Sequence, residues 1–148
     1  MSFSWTTLAL LALVAALGAL VGRAFPQEDD RPKLGEAELQ AFEMADLLKR
    51  RAEKGGPWLP FLKVPTLSCG VYVLEKGGRD GQSAHGEDEV YHVLEGRATL
   101  AVGEGDAVEQ VPVKPGSVVF VKRGIDHRFH TIEEDLKVLV FFASHAPE

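Results

Sequence analysis

Residues 83–96 read SAHGEDEVYHVLEG, and residues 127–131 read HRFHT. Between them these stretches hold His85, Glu89, His92, His127 and His130, with Glu87 and Asp88 beside them. Imidazole nitrogens and carboxylate oxygens together are the ligand types of divalent transition metals. No second acid/base pair is visible, and no nucleophile has supporting partners. His85 and Glu89 stand four apart, which on a helix would put them on one face. Gly86 and the β-branched, aromatic run VYHVL predict a strand instead. Strand parity then sets Glu89, Tyr91 and Val93 on one face and Val90, His92 and Leu94 on the other. In the same way His127, Phe129 and Thr131 share a face opposite Arg128 and His130. A lone charged Glu89 at the start of an apolar face is costly to bury, and a cation held with His85 and His127 would relieve that cost.

These residues need a scaffold, and from Pro57 onward the hydrophobic period is two. Strands are predicted at 67–74, 90–94, 98–102, 107–111, 117–121, 127–131 and 136–142. Turn signals separate them: GGRDG, EG, GEGD, KPG and KRG. No helix-length segment lies between the strands, so parallel βαβ units are excluded and an antiparallel sandwich or barrel is expected. Upstream, residues 36–55 have helical spacing, with Ala41, Phe42, Met44, Ala45, Leu48 and Ala52 on one face and Gly55 at the end. The cluster Lys49, Arg50, Arg51 reads as a solvated last turn favoured by the helix dipole.

Of the 148 residues, 45 % are hydrophobic and 26 % charged, a globular composition with a formal charge of -6. That balance argues against nucleic acid, whose phosphates call for a basic face. Partners are expected to be a small molecule, a metal or a second copy. Residues 8–21 (LALLALVAALGALV) are apolar throughout, the pattern of a secretory signal peptide, and Gly22 and Ala24 fit a cleavage after Ala24. The leading segment lacks the Lys and Arg of a signal peptide, and Phe3 to Val21 approaches the length that spans a bilayer, so an uncleaved membrane anchor is the alternative. Either reading of residues 1–24 puts the domain outside the cytoplasm, periplasmic or secreted, behind a polar linker at 25–35. Cys69 is the only cysteine and is expected to be a buried small apolar residue, so no internal disulfide can form.

The spacing Gly77-x5-Ser83-x-His85-x3-Glu89-x6-Gly96, followed by Gly116-x5-Lys122-x-Gly124-x2-His127-x3-Thr131, resembles the paired motifs of the cupin superfamily. The resemblance covers residues 65–143 and implies an all-β fold: a single double-stranded β-helix (jelly-roll) barrel preceded by a short helix. It also implies inward metal ligands, with Tyr91, Phe129, Val93 and Tyr72 as candidates to line the pocket, and a homodimer. The chain departs from the pattern at Ser83, Lys122 and Thr131, where the family has histidine, proline and asparagine. Ser83 removes one ligand, which leaves His85, Glu89 and His127 around one divalent ion: Fe, Zn, Mn or Ni. The implied function is metal binding in an exported protein, as a metal-dependent dioxygenase or other oxygenase, lyase or isomerase acting on a small organic molecule. The alternative is a non-catalytic binding or structural barrel.

Overall fold

The structure is a computed structural model that describes residues 39–143. The expected signal peptide or anchor, the linker, and the first residues of the helix expected from 36 lie outside the described residues. Helix α1 spans Met44–Lys54, later and shorter than its sequence pattern suggests. Glu43 is its extended N-cap, and Glu43 O accepts from the N–H groups of Asp46 and Leu47. Phe42 precedes the helix and packs edge-on against Phe61 at 4.9 Å. The inward stripe is Leu47 with Met44, Leu48 and Arg51 half-buried beside it, while Ala45 and Ala52 are exposed. Leu47, absent from the expected face, is the fully buried member, contributing about 1.5–3 kcal/mol. Gly55 ends the helix at φ 76, its N–H donating to Arg51 O.

Eight strands follow: β1 Trp58–Val64, β2 Leu67–Leu74, β3 Asp88–Glu95, β4 Ala98–Val102, β5 Glu109–Val113, β6 Val118–Val121, β7 His127–His130 and β8 Leu136–Ala143. They form a five-stranded sheet, β1-β2-β8-β3-β6, and a three-stranded sheet, β5-β4-β7, with every pairing antiparallel. This is the jelly-roll architecture that the family resemblance implied. Seven strands fall at or near their expected positions; β5 starts at Glu109 rather than 107, because Gly105–Ala107 forms a 3-10 turn. β1 is the addition. Its Pro60 lacks an N–H, which speaks against a central strand, but β1 is an edge strand with an irregularity between Pro60 and Leu62.

The main core lies between the sheets, with Tyr72, Tyr91, Val93 and Val138 from one and Leu100, Val113 and Phe129 from the other. A second cluster, Leu47, Leu59, Phe61, Cys69, Val71 and Val73, lies under α1. β2 is therefore buried on both faces. Tyr72 is thereby assigned to the inner face, and Cys69 is a buried free thiol whose pKa desolvation raises. Gly96 ends the first motif for a steric reason: at φ 87, a Cβ there would lie 2.3 Å from the Asp135 carbonyl oxygen. Thr131 ends β7 at φ 48. A β-branched residue in this left-handed region carries about 1–2 kcal/mol of strain, which asparagine bears more easily. The bend also takes Thr131 off the inward face that it was expected to share with His127.

Candidate metal centre

Strand parity holds at both ends of the site. Glu89, Tyr91 and Val93 are buried on β3, and His127 and Phe129 are buried on β7. His92 and His130 lie on the opposite faces, and His130 bonds to Gln110 and Thr131. His85 sits in the loop before β3, and that loop is fastened to the turn before β7. The Gly124 N–H donates to His85 O at 2.7 Å, the Arg123 N–H to Asp88 Oδ1 at 3.0 Å, and the Ala84 N–H to Asp126 Oδ1 at 3.1 Å. Asp88, the first residue of β3, is thus a tie between the two motifs. Glu87 is half-buried on a cavity wall.

These ties bring His85, Glu89 and His127 together, with one ligand atom from each within 4.8 Å of the others. Glu89 Oε2 lies 3.0 Å from His85 Nδ1 and 3.0 Å from His127 Nε2. Glu89 is 1 % exposed and His127 5 %. His127 Nδ1 lies 2.8 Å from Ile125 O, and since a carbonyl only accepts, that nitrogen carries the proton. In the neutral ring, Nε2 then turns a lone pair toward the Glu89 carboxylate, and two lone pairs need a cation or proton between them. Among the described residues Nε2 is one of two buried side-chain nitrogens without a hydrogen-bond partner, the other being Arg51 Nε. Burial lowers the His127 pKa, but the Glu89 carboxylate, Ile125 carbonyl and Asp80 charge outweigh it and hold the group above its ordinary 6.5.

The donor set fits a divalent ion. Nitrogen and oxygen ligands at roughly 2.0–2.2 Å from one centre lie about 3 Å apart, close to the separation of Glu89 Oε2 from each histidine. The carbonyl behind His127 fixes its tautomer with Nε2 free, as metal-bound histidines require. Three protein ligands would leave positions open for a substrate or water. Ser83 is exposed and borders a separate polar cavity of about 340 Å³ with His127 and Asp126.

A larger cavity of about 540 Å³ reaches His85 and Glu89, and Trp58, Tyr72 and Phe142 stand on its wall. Of the expected lining, Tyr72 is present, whereas Tyr91, Phe129 and Val93 belong to the core below. Sequence reasoning missed Asp80 and Gln82. Asp80 Oδ1 accepts from Tyr72 Oη at 2.6 Å and the Gln82 N–H at 3.0 Å. Its Oδ2 accepts from Gln82 Nε2 at 2.8 Å and the Phe129 N–H at 2.7 Å. Gln82 Oε1 accepts from Tyr91 Oη at 3.1 Å. Burial first, then the Asp80 acceptor, raises the Tyr72 pKa, and burial followed by the Glu89 charge raises that of Tyr91. Both hydroxyls therefore stay protonated and act as donors.

The Cupin domain family matches residues 70–142. Uncharacterized protein SCO3923 of Streptomyces coelicolor is 44 % identical over 105 residues, 71 % of this chain and 96 % of that protein. TT1209 from Thermus thermophilus superposes with a TM-score of 0.57 at 23 % identity, covering 73 % of this chain and 100 % of that one. Fe(II)-HppE, crystallised with an alternative substrate, gives a TM-score of 0.50 at 19 % identity over 57 % of this chain. The match spans 48 % of HppE, so this chain accounts for about half of that length. At these identities the structural neighbours speak to the fold alone. The family match itself shows that residues 70–142 are a cupin domain, and the motif spacing, the two antiparallel sheets and the His/Glu/His cluster agree with it.

Proposed function

We propose that this chain binds one divalent metal ion through His85, Glu89 and His127 and uses it on a small organic molecule. The observation that carries this reading is the buried Glu89 oxygen, 3.0 Å from a nitrogen of each histidine beside an open cavity. Mixed nitrogen and oxygen ligation suits Fe(II), Zn, Mn or Ni. A bound ion with open positions would polarise a substrate oxygen, activate water or bind O₂, the chemistry of an oxygenase, lyase or isomerase. Metal-dependent product formation in an aerobic small-molecule panel with Fe(II) supports the enzyme. Saturable binding without turnover would replace it by the non-catalytic alternative.

The setting we infer is an exported homodimer. Export rests on the apolar run at 8–21 and the small residues at 22 and 24. Secreted chain should begin at Phe25, and an intact Met1 in membranes would favour the anchor. Dimerisation rests on edge strand β6, where Val118 is 68 % and Phe120 61 % exposed. Large apolar side chains on an unpaired edge invite a second copy. Sedimentation should give twice the chain mass for the parent and a single chain for Phe120→Asp. A monomeric parent would rule the dimer out.

A further inference from the structure

We propose that the cavity of about 540 Å³ is built for a flat aromatic molecule carrying one anionic oxygen group, its ring against Trp58 and its oxygen toward Glu89 and the histidines. The anionic end rests on the metal reading above; recognition of the ring does not.

Trp58 is placed on the cavity wall by a deletion of side chain. Its indole lies on Gly70, where a Cβ would fall 1.9 Å from indole Cη2, so β2 leaves a seat at that position. The indole meets Phe142 edge-to-face at 5.9 Å and 79°, and Tyr72 at 6.4 Å and 59°. Phe142 in turn meets His85 at 5.1 Å and 72°. A continuous run of rings therefore leads along the cavity wall from Trp58 through Phe142 to His85. Trp58 and Phe142 are half-buried and line the cavity, and the ring surface they offer there favours another aromatic ring over a saturated one. Pro60 and Leu62, from the same edge strand, add apolar surface beside Trp58.

Charge sets the other end of the ligand. A divalent ion less the Glu89 carboxylate leaves one positive charge at the cluster. Lys63 and Glu87 both border the cavity and offset each other. A monoanion such as an aryl carboxylate or phenolate matches this balance. The volume, within the roughly 300–1,000 Å³ range of small-molecule pockets, has room for a two-ring molecule.

The test is calorimetric titration of the purified chain with 2-naphthoate and with decalin-2-carboxylate, its saturated counterpart of like charge and similar size. Each titration is run on zinc-loaded and on EDTA-treated protein. The expected result is a preference of about tenfold for naphthoate, the size that one or two ring contacts supply. Trp58→Leu, which removes the ring, and Gly70→Ala, which displaces it, should both erase the preference while zinc stoichiometry stays at the parent value. Equal binding of the two probes, or a preference untouched in both variants, would overturn the proposal. If the chain takes up no zinc, the metal reading fails by itself. Ring preference is then judged on the EDTA-treated protein, where its absence overturns the present inference separately.

Discussion

Glu89→Gln should remove the metal and leave the fold in place. The carboxylate oxygen lies between two imidazole nitrogens, 3.0 Å from each, and its negative charge is what a buried cation needs there. Partners that only orient a metal ligand are worth about 10–100-fold in affinity, so losing the ligand itself should exceed about 100-fold. The amide keeps the shape of the side chain, and its NH₂ can donate to the Nε2 lone pair of neutral His127. The metal-free variant should therefore retain the thermal midpoint of the metal-free parent to within about 1 kcal/mol of stability. Metal titration with a paired melt reads both quantities. A variant that still holds a full equivalent of tightly bound metal would remove Glu89 from the site.

Asp80→Asn should be the most damaging of the near-isosteric changes. Four donors converge on this carboxylate, two on each oxygen: Tyr72 Oη and the Gln82 N–H on Oδ1, Gln82 Nε2 and the Phe129 N–H on Oδ2. An amide replaces one acceptor oxygen by a donor, so two of the four lose their partner and face an NH₂. Tyr72 can rotate its hydroxyl, but the buried Phe129 N–H cannot move from the strand. The cost should be about 2–4 kcal/mol, a drop in Tm of about 10 °C or more. Metal affinity should fall as well, because Phe129 lies two residues after His127 and Gln82 leads into the His85 loop. A Tm within a degree or two of the parent would mean that Asp80 is not the anchor of this network.

The inward placement of Glu89 and His127 was legible because strand parity is a strict rule. Once β3 was recognised, Glu89 had to share a face with Tyr91 and Val93, and His92 had to leave it. The motif spacing then supplied His85, which lies in a loop where parity says nothing. Asp80 was hidden for the opposite reason. It sits in GGRDG, where an aspartate is ordinary turn chemistry, and its donors come from positions as far away as Phe129, 49 residues on. Trp58 was hidden by Pro60, which argues against a strand unless the strand is known to be an edge, and edges are a property of the assembled sheet. The late start of α1 has a similar cause. Phe42 fits the helical period, yet its contact with Phe61 on β1 takes it out of the helix. Ser83 was informative from the start: it occupies the expected histidine position and stands exposed, and the cluster has three members.

If His85, Glu89 and His127 hold one metal ion, elemental analysis of chain purified without chelator will detect it. One equivalent of a transition metal per chain, lost in His127→Ala, is the predicted result. A metal-free parent that takes up no Fe(II), Zn, Mn or Ni on titration, or full metal content retained in His127→Ala, would contradict it.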